Sequence, residues 1–146
     1  MNYEPFVIER TYNAPIEKVW RAITDRDQMK QWYFDLQNFK LEVGNEFSFV
    51  GTDNDCKDWV HLCRVTEIIP NKKFAHTWRY EGFDGDTTVI WELFAEGAFT
   101  RVKLTHSGLE TLPPLRSFAR ECFAEGWTGL VGESLKNFVE HADFAA

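Results

Sequence analysis

Two histidines and a glutamate carry the strongest chemical signal in this sequence. Apolar and polar residues alternate through Phe74-Ala75-His76-Thr77-Trp78-Arg79-Tyr80, as in a half-buried strand. The turn signal Pro70-Asn71-Lys72-Lys73 joins it to a preceding strand, Trp59 to Ile69. A symmetric turn there sets His76 opposite Glu67, with Trp91 beside it on the next strand. An imidazole oriented by a carboxylate is a general base for a ligand held against it. The competing reading is a hydrogen-bonded core histidine, or a Glu67 turned outward by a bulge. His106 shares a row with Trp78 and Val89. It either hydrogen-bonds a ligand at one end of a cavity or caps the strand before Gly108.

Other chemistries have weaker support. His61 and Cys63 share a strand face, which raises a metal site with His76. The same symmetric turn places His61 level with Gly82, six residues along the strand from His76. At strand rise that is about 20 Å, too far for one ion, so no metal is expected. Ser107, Ser117 and Ser134 lack the context of an activated nucleophile, and no glycine-rich phosphate loop precedes a helix. No cofactor is expected. Cys56, Cys63 and Cys122 make an odd count without C-x-x-C spacing, which fits reduced thiols in a cytoplasmic protein. Cys122 is a reactive thiol only if it faces a cavity with a cation close by.

The elements that must position these residues follow from period. Phe6 to Tyr12 reads as a first strand, ended by Asn13-Ala14-Pro15. Pro15 with Glu17 starts a short helix whose apolar residues are Ile16, Val19, Trp20 and Ile23. Asp25-x-x-Gln28 opens a second one that runs through Met29 towards Trp32. Phe47 and Phe49 alternate with Glu46 and Ser48 before a polar loop, Gly51 to Asp55. After the strands already described, Thr87 to Ala95 and Thr100 to His106 form a last hairpin around Glu96-Gly97-Ala98-Phe99. Symmetric turns put Val65, Phe74, His76, Trp78, Val89, Trp91, Leu93, Val102, Leu104 and His106 on one inner face. Arg79, Glu92, Arg101 and Lys103 fall on the outer one. The class is α+β, helices packed on an antiparallel sheet.

A carboxy-terminal helical segment covers that face. Leu115, Phe118, Cys122 and Phe123 are followed by Trp127, Leu130, Val131, Leu135, Phe138 and Ala142. The apolar stripe shifts between the two halves, which predicts a bend or break near Gly126. Gly126, Gly129 and Gly132 each cost the helix about 1 kcal/mol relative to alanine. They serve either close approach of helix to sheet, the favoured reading, or room for a guest. Trp32, Trp78, Trp91 and Trp127 are the candidate cavity walls, with Phe47, Phe49 and Phe123 beside them. The alternative is that they fill the core.

Composition bounds the rest. The chain has 146 residues, enough for one domain spanning 1–146 and too few for two cores. With 16 basic and 23 acidic residues the formal net charge is −7, and no basic stripe suits nucleic acid or an anionic membrane surface. The longest uninterrupted apolar run is three residues, which excludes a transmembrane helix or signal-peptide core. Yet 13 Phe, 6 Trp and 4 Tyr exceed what a core of this size requires. Monomer and homodimer both remain open.

The stretch Asn13-Ala14-Pro15-Ile16-Glu17-Lys18-Val19-Trp20 followed by Ile23-Thr24-Asp25 resembles the opening of START-related, Bet v 1-like (SRPBCC) domains. Arg64 to Pro70 with Trp78, Thr100 to Gly108, and Gly126-Trp127 narrow the resemblance. They are similar to prokaryotic homologues of the activator of heat-shock protein 90 ATPase. The resemblance covers roughly residues 5 to 140. It implies a helix-grip fold, a curved antiparallel sheet around a long carboxy-terminal helix with a cavity between them. It also implies a superfamily of lipid carriers, hormone receptors, polyketide cyclases and co-chaperones, so the fold does not choose the function. The chain is too short for the extra amino-terminal domain with which the eukaryotic co-chaperone engages its partner. The leading expectation is a binding protein for a small hydrophobic, aromatic or lipid-like ligand. The alternatives are a chaperone partner in a stress response, and a cyclase-like enzyme using His76 and Glu67.

Overall fold

The structure, a computed structural model, describes residues 4–52 and 57–141. Cys56, Asp53 to Asp55 of the polar loop and Ala142 lie outside them. Six strands form one sheet, and every neighbouring pair is antiparallel: β1 (Phe6–Tyr12), β2 (Glu46–Thr52), β3 (Asp58–Ile69), β4 (Lys73–Tyr80), β5 (Thr87–Glu96) and β6 (Phe99–Ser107). Their order across the sheet is β1-β6-β5-β4-β3-β2. Two short helices, α1 (Ile16–Thr24) and α2 (Arg26–Trp32), separate β1 from β2. After β6 come two 3₁₀ turns and α3 (Arg120–Gly129), a π-helical turn (Leu130–Ser134) and α4 (Leu135–His141). This is the helix-grip arrangement, with a carboxy-terminal helix lying across a curved sheet. No described helix is long and apolar enough to cross a membrane.

Local chemistry sets the element boundaries. The Asp25 carboxylate accepts from the backbone N–H of Asp27 and Gln28, capping α2 at its start. Gly108 takes φ = 83° where the chain leaves β6, and an added Cβ would sit 2.8 Å from the Asp86 carbonyl. That backbone shape and that closeness both require glycine.

All ten residues expected on the inner face are buried. The β5–β6 register sets Val89 opposite His106, Trp91 opposite Leu104 and Leu93 opposite Val102, as symmetric turns predict. Between β4 and β5 the pairing is two residues off. His76 faces Val89, Phe74 faces Trp91 and Trp78 faces Thr87. A shift of two leaves every side chain on its own face, which is why burial still agrees.

The β3–β4 pair differs in a way that matters. A β-bulge lies between Val65 and Glu67, so Val65 pairs with His76 and Glu67 pairs with Ala75. One extra residue reverses which side chains point inward beyond it. Glu67 therefore turns outward and forms an ion pair with Lys73 at 2.8 Å. The symmetric register that set His76 opposite Glu67 gives way to the competing reading, a Glu67 turned outward by a bulge.

The carboxy-terminal helix is irregular, but not at Gly126. Four residues further on, the Leu135 N–H bonds the Leu130 carbonyl, five residues back, and the helix widens into a π turn. Inside that turn the Val131 carbonyl accepts the hydroxyl of Tyr12, a fully buried residue of β1. The bond ties the first strand to the last helix. Tyr12→Phe is expected to lower the unfolding free energy by about 1–2 kcal/mol, the cost of leaving a buried acceptor unmade. Urea denaturation checks this, and an unchanged midpoint would show that the helix does not depend on Tyr12.

Candidate ligand-binding cavity

The interior between sheet and helix divides into two parts with opposite character. Under α2, the side chains of Trp32, Phe47, His76 and Trp91 meet Ile23, Met29, Leu36 and Phe74, leaving about 10 Å³. That part is packed solid. Under α3, a cavity of about 580 Å³ remains. This is the size of sites that hold drug-sized molecules. Six rings line it: Phe34, Trp59, Trp78, Tyr80, Phe123 and Trp127. Arg116 and Glu125, both exposed, stand on its rim.

A buried relay forms the boundary between the two parts. The Trp127 indole N–H donates to His106 Nδ1 at 3.1 Å. Indole can only donate, so Nδ1 carries no proton and the proton of this neutral ring sits on Nε2. Nε2 then donates to Thr87 Oγ1 at 2.8 Å, and that hydroxyl donates to the Trp78 carbonyl at 2.7 Å. Each donor and acceptor in this relay has a partner, Thr87 Oγ1 both accepting and donating. Burial, reinforced by the nearby His76 and His61, lowers the His106 pKa to about 3. His106 holds Trp127 of α3 against β4, β5 and β6, and both its nitrogens are engaged.

His76 is also engaged within the protein. Its Nδ1 donates to the Thr77 carbonyl at 2.9 Å, and burial lowers its pKa to about 4 against that bond. With Glu67 outside, no carboxylate orients it as a base. Trp78, Phe123 and Trp127 of the expected site residues line the large cavity. Trp32, Phe47, His76 and Trp91 surround the packed part. Phe49, Val65, Val89 and Leu104 line neither and belong to the hydrophobic core, and His106 lines neither but is buried in the relay.

Two exposed glycines of α3 border the cavity. A Cβ built at Gly126 or Gly129 would meet nothing within 4 Å among the described residues, so at these two positions the helix presents bare backbone. Neither residue serves close approach, which corrects the favoured expectation. At Gly132 the nearest group is the Arg10 side chain at 3.5 Å. Close approach is instead the role of Gly51 on β2, where an added Cβ would lie 3.0 Å from the His61 ring and 3.4 Å from Phe34.

His61 is the histidine in the cavity wall. It faces inward because β3 alternates through Trp59, His61, Cys63 and Val65, all buried. It lies level with Tyr80, four residues along β3 from the partner of His76, or about 13 Å at strand rise. Among the described residues no group of three or more His, Cys, Asp or Glu is placed to hold a metal. Alternation could have found His61, Trp59 and Tyr80. Phe34 had no such signal, because it sits in an irregular segment after α2. Cys63 is buried and its pKa is pushed up, whereas the exposed Cys122 thiol donates to the Arg116 carbonyl at 3.1 Å.

Fold and site together define a helix-grip protein with an open cleft beside its carboxy-terminal helix. The chain belongs to the family described as Activator of Hsp90 ATPase homolog 1-like protein, which matches residues 13–140. Among solved structures it is similar to protein CV1439 of Chromobacterium violaceum. That pair has a TM-score of 0.80 and 19% identity, over 93% of this chain and 96% of the other. It is also similar to protein MLL2253 of Mesorhizobium loti, with TM-score 0.76 and 26% identity over 97% and 100% of the two chains. A third is DynU16, from the dynemicin biosynthetic locus, with TM-score 0.77 and 20% identity over 95% of this chain and 48% of that one. No curated protein matches the chain in sequence.

Three buried neutral histidines make the fold acid-sensitive. In the unfolded chain each takes up a proton near pH 6.5, whereas the folded chain resists until about pH 4 for His61 and His76 and about pH 3 for His106. The unfolded state binds more protons in that window, so stability is full above pH 6.5 and falls as pH drops. Each histidine contributes about 1.4 kcal/mol per pH unit there. Urea midpoints between pH 7 and 4 should show this slope. His76→Leu should remove close to one proton of uptake, and an unaltered slope would refute the assignment.

Proposed function

We propose that this protein binds a small, largely apolar aromatic molecule between its sheet and α3. The observation that carries the reading is the bare helix wall. Gly126 and Gly129 weaken an exposed helix by about 1 kcal/mol each relative to alanine, and no atom of the described residues uses the space they leave. The facing surfaces are aromatic, with the dry, flat character that holds ring systems well. The packed region under α2 keeps the relay and sheet rigid, so the cavity is formed before a guest arrives. The family description names a chaperone-ATPase activator, but the feature argued from this chain's own residues is the cavity.

The reading supports binding and release more than chemistry. His76 has no carboxylate beside it, and His106 spends both nitrogens on Trp127 and Thr87. A neutral fluorescent aromatic, N-phenyl-1-naphthylamine, tests the proposal. It should bind the wild type with one-to-one stoichiometry and a dissociation constant in the micromolar range. Gly126→Leu and Gly129→Leu should each weaken it at least tenfold by filling the cavity. The same substitutions should keep or raise the thermal midpoint, since leucine favours helix over glycine by roughly 1 kcal/mol. Binding that ignores both substitutions, or a wild type that takes up no probe, would defeat the proposal.

A further inference from the structure

We infer that Arg116 at the mouth of the cavity receives the polar end of the guest. The guest is then an aromatic carboxylate, with its ring system inside and its anionic head on the guanidinium. The inference rests on the binding function proposed above and specifies the chemistry of its ligand.

Arg116 combines a fixed backbone with an uncommitted side chain. It opens the 3₁₀ turn Arg116–Phe118, and its carbonyl accepts the Ala119 N–H and the Cys122 thiol, both at 3.1 Å. Two residues on, Phe118 is buried against Tyr80 at 4.5 Å and Trp59 at 4.8 Å between ring centroids. Those two rings are cavity walls, so the turn is pinned to the cavity itself. The Arg116 side chain is exposed at the rim. Its guanidinium makes no ion pair, hydrogen bond or ring contact among the described residues.

Other charged groups are committed. Arg101 pairs with Glu9 at 2.6 Å and Glu96 at 3.2 Å, and Arg26 pairs with Asp35. Arg120, at the start of α3, donates to the Glu4 and Pro5 carbonyls. Glu125 also lines the cavity, but it already interacts with another group of the chain. Of these two rim residues of opposite sign, the cation is the one with capacity left.

A guanidinium keeps its charge at any ordinary pH and presents a planar fork of donors. That fork matches a carboxylate through two parallel hydrogen bonds. The rest of the lining sets what the carboxylate is attached to. Trp59, Trp78, Tyr80 and Trp127 offer aromatic surface, and Gly126 and Gly129 offer bare backbone. A molecule that suits both is amphipathic, aromatic in its body and charged at one end. An anion held at the mouth stays in contact with water, so it avoids the cost of burying a charge. The chain as a whole carries a net charge of −7 and does not draw in anions. A preference for an anion therefore comes from local pairing.

Three probes of similar shape test the inference: 2-naphthoate, uncharged 2-naphthamide and the cation 2-naphthylmethylammonium, titrated by tryptophan fluorescence and calorimetry. The wild type should prefer 2-naphthoate to 2-naphthamide by about fivefold, the upper range for an ion pair open to water. In Arg116→Gln that preference should fall to about one. In Arg116→Glu the cation should become the tightest of the three. Arg79→Gln removes the same charge from the outer face of the sheet, and should keep the wild-type preference.

Equal binding of naphthoate and naphthamide, an undiminished preference in Arg116→Gln, or an equal loss in Arg79→Gln would overturn the anchor. So would failure of the three probes alone while N-phenyl-1-naphthylamine still binds. In each of those cases the binding function survives. Failure of all three probes together with N-phenyl-1-naphthylamine would overturn the function itself, and the anchor with it.

Discussion

The hydrogen bond from the Trp127 indole to His106 is the constraint on which the interior depends. It fixes the helix at one height above the sheet, because an indole has one donor and His106 one free acceptor. The chain of bonds continues through Thr87 to the Trp78 carbonyl, so three strands and the helix share one polar thread. Trp127 and Trp78 also meet as rings at 5.5 Å, and His106 packs against both. A buried network of this kind stabilises only when every member is satisfied, and here every member is. Its position also divides the interior, since the same two tryptophans form the floor of the cavity.

That division explains how one fold can be both rigid and hollow. On the α2 side, Trp32, Phe47, Phe74 and Trp91 fill the space almost completely, and the Trp32 indole N–H donates to the Ala22 carbonyl at 2.7 Å. On the α3 side, two glycines withhold the side chains that would complete the packing. The rigid half supports the walls of the open half. Gly51 acts in the opposite sense to Gly126 and Gly129, admitting the rings of His61 and Phe34 close to the backbone of β2. Glycine thus appears in one site for two reasons, and only the surroundings distinguish them.

Much of the sheet was legible because strands have a period of two. Errors of two residues in the β4–β5 register left each inner residue inward, and all ten were found buried. The capping Asp25 and the turn between β5 and β6 could likewise be read locally. The bulge at Val65 and Glu67 could be named only as one of the competing readings, and it removed the one proposed catalytic pair. A bulge is decided by how two strands twist against their neighbours, which no stretch of residues records. The π turn at Leu130 to Ser134 escaped for a related reason. Its freed geometry is stabilised by Tyr12, which is 119 residues away from its acceptor.

By itself, the sequence determined the class of fold, the face of each strand and the aromatic character of the interior. Those properties follow from period and composition, which are local and additive. Tertiary structure alone decided which aromatic residues fill the core and which enclose space, and which histidine borders the cavity. Whether a side chain is satisfied or a cavity is empty depends on what arrives from elsewhere in the chain. His76, His106 and His61 are alike in sequence as inward-facing histidines. Their neighbours in space make the first a core residue, the second a link between helix and sheet, and the third a residue of the cavity wall.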